Sequence, residues 1–131
     1  MDYDLIAAWF NAARKEATGK GDLPWACRTA RIYLVEHANA LYIWHNGEPS
    51  SIAGIRGITA HSAYIDAVYT PPVLRRRGYA TACIAALSQV MHSHGYWNCS
   101  LVAALTDLTA NHIYQTVGYR VTCEIRQYSF L

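Results

Sequence analysis

The stretch Val68-Tyr69-Thr70-Pro71-Pro72-Val73-Leu74-Arg75-Arg76-Arg77-Gly78-Tyr79-Ala80 decides the reading of this chain. An apolar run ends in two prolines, which stop ladder pairing because proline has no N–H to give. A basic turn containing Gly78 follows. Behind it Ala80, Cys83, Ile84, Leu87 and Met91 recur at helical spacing until Gly95. Strand end, tight turn and helix start in that order build a pocket for phosphate. The first N–H groups of a helix have no partner inside it, and the helix dipole puts partial positive charge there. Gly78 lets the backbone approach an anion with no side chain between. Arg75, Arg76 and Arg77 add charge and bidentate donors. Cations are unfavourable at that end of a helix, so three in a row point to an anion nearby. The plainer reading of the same residues is a solvated charge run.

Outward from this stretch the chain alternates. Upstream, Ile6, Trp9, Phe10, Ala13 and Ala17 form one stripe of a helix over residues 2–18, ended by Gly19 and Gly21. Residues 22–30 read as a loop, and 31–37 and 41–45 as strands. Asn46-Gly47 reads as a hairpin turn. A strand over 52–59 contains Gly54 and Gly57, which mark a bulge or a close approach. A fourth strand covers 64–70. Downstream, the largely apolar residues 97–105 read as a strand buried on both faces. Asp107 or Thr109 caps a short helix that stops at Gly118, and 120–130 reads as a last strand or strand pair. This order predicts an α/β (α+β) fold, a mixed sheet with helices on its faces, in a single domain over residues 1–131.

The spacing Arg75-x-x-Gly78-x-Ala80, set behind Val68 and the prolines, resembles the pyrophosphate signature Q/R-x-x-G-x-G/A of the GNAT superfamily of acetyl-CoA-dependent N-acetyltransferases. Thr109-Ala110-Asn111-His112-Ile113-Tyr114, followed by Val117-Gly118-Tyr119, resembles that family's helix after its fifth strand. The interval between the two segments holds one long helix and one strand, as in the family. The resemblance is carried by residues 64–120. It implies a GNAT-like acyltransferase fold matched from the family's second helix onward, with the first strand and first helix missing or much reduced. It also implies acetyl-CoA as co-substrate and an amine of a small molecule or peptide as acceptor. The acceptor pocket would then be more open, completed by a neighbouring subunit, or built from residues 22–37, with acidic or aromatic residues of 22–37 and 59–64 lining its entrance.

Roles follow from the same resemblance. The turn Arg75, Arg76, Arg77, Gly78, Tyr79, Ala80 and Thr81 would hold the pyrophosphate, mainly through backbone amides. Val68, Tyr69 and Thr70 would donate N–H groups to the pantetheine arm and the thioester oxygen, beside a bulge that opens a cleft in relatives. Tyr114 would be the general acid that protonates the leaving thiolate. Asn111, one turn earlier on the same face, resembles the family's cofactor-contacting asparagine, and Asp107 stands where many relatives have Asn. Without the resemblance Tyr114 is a half-buried aromatic and Asn111 a residue near a helix cap. Asp66, Glu36, His61 and Tyr64 are candidate bases, and none is singled out.

Composition sets the remaining bounds. The chain has 131 residues, 53% of them hydrophobic and 15% charged, which is the balance of a globular protein rather than a disordered one. A net charge of +2 argues against nucleic acid as the main partner, and the aromatics are not interleaved with a basic patch. No run approaches the roughly 18 apolar residues of a membrane span. Asp2 and Asp4 stand where a signal peptide would be basic, so the expected compartment is the cytoplasm. Cys27, Cys83, Cys99 and Cys123 have no C-x-x-C spacing and read as buried free thiols. His92 and His94 do not share a helix face, so no metal site is expected. The exposed edge of a short sheet suggests a homodimer. An acyl-CoA-binding protein without turnover is the alternative reading of function.

Overall fold

The structure, a computed structural model, describes residues 3–36, 40–126, 128 and 130. Helix α1 (Tyr3–Thr18) and helix α2 (Leu23–Arg31) come first. A π-helical turn, Ile32–Glu36, leads toward strand β1 (Leu41–His45). Strands β2 (Pro49–Ile58) and β3 (Ser62–Tyr69) complete a meander. A 3₁₀ turn (Pro72–Leu74), helix α3 (Tyr79–Ser93), strand β4 (Asn98–Ser100) and helix α4 (Leu108–Val117) follow. The sheet order is β1-β2-β3-β4, antiparallel until β4, which lies parallel to β3. The expected mixed sheet with helices on its faces is therefore present.

Two apolar clusters hold the layers together. On one face Ile6, Ala7, Phe10, Ala26, Ala30 and Tyr33 meet Ile52 and Tyr69 of the sheet. On the other, Cys83, Ile84, Leu87 and Met91 of α3 meet Ala53, Ala63 and Ile65. Adjacent residues of β2 thus serve opposite faces, as the twofold period of a strand requires. Trp25 and Tyr33 pack into the first cluster, and Tyr42 and Trp44 against the second.

Four stretches differ from the sequence expectation. Residues 22–30 are not a loop. The Asp22 carboxylate accepts the Trp25 N–H at 3.0 Å as an N-cap, Pro24 stands in the first turn where its missing N–H costs nothing, and Ala26 and Ala30 turn inward. Residues 32–36 are not a strand, although Ile32 and Val35 are β-branched. The helix carries on into a π turn that delivers Tyr33 onto the sheet; His37 lies outside the described residues. The strand expected over 97–105 shrinks to Asn98–Ser100, because β3 offers partners only from Ser62 to Tyr64. Trp97 is 75% exposed rather than buried. No strand forms at 120–126, where Val121 and Ile125 stand exposed; the rest of that expected strand includes residues outside the description. Cys123 is exposed rather than buried, while burial pushes the Cys83 thiol up to about 11.

Gly54 permits the closest approach of α-face to sheet. A Cβ placed there would sit 2.8 Å from Cε1 of Tyr33 and 3.4 Å from the Ala40 carbonyl oxygen. Gly54→Ala is therefore expected to cost about 1–3 kcal/mol, the usual range for overpacking a core, read as a lowered urea midpoint at constant slope. The double variant with Tyr33→Leu should regain part of it. An unchanged midpoint in Gly54→Ala would show that the ring yields freely.

Candidate active site

A bulge shapes the site. Gly54 pairs with Asp66 and Ile52 with Tyr69, so Ala67 and Val68 together face the single residue Ala53. Ala67 takes up the extra length at φ 57°, a left-handed conformation that L-residues other than glycine, asparagine and aspartate seldom adopt. Ala67 then packs toward α1 and α2, and Val68 toward α3. Past Tyr64 the outer edge of β3 has no strand partner among the described residues, because residues 101–105 leave the sheet. This leaves the end of β3 open along its outer edge, an opening called the cleft below, with the bulge expected from the family resemblance beside it.

The turn behind β3 is a row of unused donors. Gly78 is the N-cap of α3 at φ 83°, and Arg76 also has a positive φ of 64°. Ala82 N–H returns to the Gly78 carbonyl at 2.9 Å, but the backbone N–H groups from Arg76 through Thr81 meet no acceptor among the described residues. Nothing lies within 4 Å of a Cβ built on Gly78, so the space over the turn is open. Such a run of converging N–H groups at a helix start favours an anion.

The arginines divide their work. The Arg75 side chain turns away from the open side: its Nε donates to the Thr70 carbonyl at 2.8 Å and its Nη2 to both Glu16 carboxylate oxygens at 2.8 Å. It also lies 5.6 Å over the ring of Tyr69, which packs at a tilt against Trp9 with ring centroids 6.0 Å apart. Arg75 thus braces the turn against α1, a role that the sequence alone does not reveal. Arg76 and Arg77 are exposed and make no ion pair among the described residues. Thr70 is fixed by its hydroxyl, 2.8 Å from that of Ser51. The Asn46 amide donates to the Tyr79 hydroxyl at 2.7 Å, so the β1–β2 hairpin supports the turn as well.

On the far wall, Asp107 caps α4 by accepting the Ala110 N–H at 3.0 Å. Asn111 donates its amide to the Ala104 and Asp107 carbonyls at 2.9 and 2.8 Å, closing the loop before the helix. Its Oδ1 stays free for another donor among the described residues. Tyr114 packs on the α3 cluster, 6.4 Å from the ring of Tyr119. Its hydroxyl has no hydrogen bond among the described residues. Burial first, then the charges of Asp107 and Asp66, push its pKa up to about 12. Burial likewise takes Tyr119 up to about 12, although the hydroxyl of Ser88 at 2.7 Å works against it.

Of the candidate bases, Asp66 alone stands beside the bulge, paired with Arg56 at 3.2 Å. His61 stacks on Trp97 at 4.1 Å at the opposite end of β3, about 20 Å away at the rise of a strand. Glu36 is exposed on the π turn, and Tyr64 is half-buried next to Gly57. Sequence reasoning missed Ala67, Glu16, Asn46 and Arg56. No local pattern announces them, since each acts through a partner distant in the chain.

The sequence pattern described as the acetyltransferase (GNAT) family matches residues 4–119. The chain belongs to that family. No curated protein matches it. Among solved structures, a probable acetyltransferase superposes with a TM-score of 0.82 at 14% identity, over 99% of this chain and 91% of that one. A possible acetyltransferase from Clostridium difficile 630 gives 0.76 at 16%, over 99% and 92%. AAC(6')-Iy, in complex with the bisubstrate analog CoA-S-monomethyl-acetylneamine, gives 0.71 at 17%, over 97% and 92%. At these identities the likeness is one of GNAT fold. No helix among the described residues is long and apolar enough to cross a membrane.

The raised tyrosines set an alkaline limit for this GNAT domain. Unfolded tyrosine ionises near pH 10, whereas Tyr114 and Tyr119 hold their protons to about 12 when folded. Their contribution is complete below about pH 10 and is lost as pH rises toward 12. Chemical-denaturation midpoints should therefore fall over that window, and Tyr114→Phe should flatten the fall. A slope that the substitution leaves unchanged would contradict the assignment.

Proposed function

We propose that the chain is an N-acetyltransferase that moves an acetyl group from acetyl-CoA to a primary amine of a small molecule or peptide, residues 1–131 acting as one catalytic domain. The observation that carries this reading is the open row of N–H donors from Arg76 through Thr81 beside a bulged strand end. These residues fit a coenzyme A pyrophosphate: the donors are unpaired, no Cβ obstructs Gly78, and Arg76 and Arg77 supply uncommitted positive charge. Coenzyme A, when bound, supplies a thioester, whose acyl carbon is open to attack by an amine. The free cysteines suit a reducing compartment such as the cytoplasm.

The roles of the residues follow from their positions. Val68, Tyr69 and Thr70 line the cleft where their strand has no outer partner, so backbone N–H groups there can bind the pantetheine amides and polarise the thioester oxygen. Asn111 Oδ1 can accept from the same arm. The amine forms the new C–N bond as the C–S bond breaks, and the electron pair leaves on sulfur. Tyr114 delivers its proton to that sulfur, while the proton of the amine passes to water; Tyr114 is then reprotonated from solvent. A phenol raised to about 12 stays neutral at physiological pH and so always holds the proton to give. It is a weaker acid than a free thiol near 8.5, so its transfer must be coupled to loss of the amine proton.

Three variants test this. Tyr114→Phe should leave acetyl-CoA affinity within about twofold and lower kcat by about 100-fold, within the range of general acid catalysis. Unchanged turnover would remove the general-acid role from Tyr114, whereas binding of acetyl-CoA with no turnover by the wild type would favour simple acyl-CoA binding. Gly78→Glu should abolish acetyl-CoA binding in calorimetric titration, since it sets a carboxylate over the donor row. Gly78→Asn tolerates the left-handed φ and should weaken binding far less. Normal binding by the glutamate variant would move the pyrophosphate elsewhere.

A further inference from the structure

The α1/α2 side of the bulge presents two opposite charges that the acyl-transfer steps above do not use. Ile65 points into the α3 cluster and Ala67 toward α1 and α2, so Asp66 takes the α1/α2 face of β3. Arg56 is the extra residue of a second bulge, between the Ile55–Ile65 and Gly57–Tyr64 pairs of β2 and β3. The two bulges bring these side chains together at the cleft: Arg56 Nη1 donates to Asp66 Oδ2 at 3.2 Å. They remain 68% and 47% exposed, and this is the single hydrogen bond recorded for either side chain among the described residues. Asp66 Oδ1 and the other guanidinium N–H groups therefore have bonding capacity left. Tyr33 stands over Gly54, the ladder partner of Asp66. Its ring is buried, yet no buried side-chain oxygen or nitrogen is unpartnered among the described residues, so its hydroxyl reaches solvent. Burial first, and then the charge of Asp66, raises both Tyr114 and Tyr33, while at Tyr33 the charge of Arg56 works the other way.

We propose that Asp66 and Arg56 form the acceptor subsite and select an acceptor bearing a carboxylate next to its amine, that is, a free amino acid. The inference rests on the acyl-transfer reading and names its substrate class. An α-amino acid carries ammonium and carboxylate on one carbon, so it can lay its ammonium on Asp66 and its carboxylate on Arg56 at once. Arg is suited to that second contact by its bidentate fork. A simple amine leaves Arg56 unanswered, and a peptide N-terminus offers it only a neutral amide. The pair lies next to Ala67, where the strand edge opens, so the amine is presented at the same end of the cleft as the thioester. Asp66 and Arg56 act here as specificity-determining residues, with no proton transfer assigned to them.

The test compares alanine with ethylamine and alaninamide, and phenylalanine with phenethylamine, as acceptors for the full chain with acetyl-CoA. Each amino acid should be preferred at least tenfold in kcat/KM over its counterpart lacking the carboxylate, mainly through KM. Arg56→Met should reduce that preference to near one, and Arg56→Lys should restore part of it. Equal use of amino acids and plain amines by the wild type overturns the proposal, as does a loss in Arg56→Met that falls equally on both. If no amine is acetylated, the acyl-transfer reading fails separately, and calorimetry with CoA and each amino acid decides the subsite. Amino-acid binding that Arg56→Met removes supports it; absence of binding, or binding indifferent to Arg56, overturns it.

Discussion

One residue out of register governs this molecule. Ala67 accepts a left-handed backbone so that β3 can fit one residue more than its neighbour allows. Strain of that kind persists only where the surroundings over-determine it. Here Ile65 and Val68 are anchored on one side and Ala67 and Tyr69 on the other, so the chain has no slack with which to relax. The gain is a strand that turns from its parallel neighbour after Tyr64. Without the turn β4 could run on beside β3, and the backbone groups at the end of β3 would be spent on a ladder.

The neighbouring segments all brace that opening. Ser51 holds Thr70, Arg75 ties the strand end to Glu16 of α1, and Asn46 steadies Tyr79 at the start of α3. The Arg75–Glu16 pair is half exposed, and surface ion pairs contribute little to stability by themselves. Its value lies in geometry: Nη2 shared between both Glu16 oxygens and an Nε bond to the Thr70 carbonyl fix one guanidinium, and through it the direction of the turn. Asn111 does the same on the opposite wall by joining the Ala104 and Asp107 carbonyls.

What sequence could reveal follows the range of each interaction. The turn from Arg75 to Ala80, helix α3 and helix α4 were legible because their signals are local: glycine at positive φ, a capping aspartate, apolar residues every three or four positions. Asp22 and Pro24 carried an equally local start signal for α2, but Gly19 and Gly21 before it read as the opening of a loop. The π turn and the short β4 were hidden, since β-branched and apolar residues there look like strands until the tertiary partners are known. Alanine at position 67 gives no hint of a bulge, and the direction of the Arg75 side chain depends on a glutamate in another layer. The motif thus pointed to a turn whose backbone donors the fold leaves unpaired, while the direction of each side chain around it needed the fold.

The contact between Tyr33 and Gly54 extends beyond packing in one chain. A side chain at position 54 has room only if position 33 becomes smaller, and a smaller residue at 33 leaves an unfilled space unless 54 grows. Both positions border Asp66, so any repacking there reshapes the wall of the cleft. In the history of such sequences these two positions should drift as a linked pair.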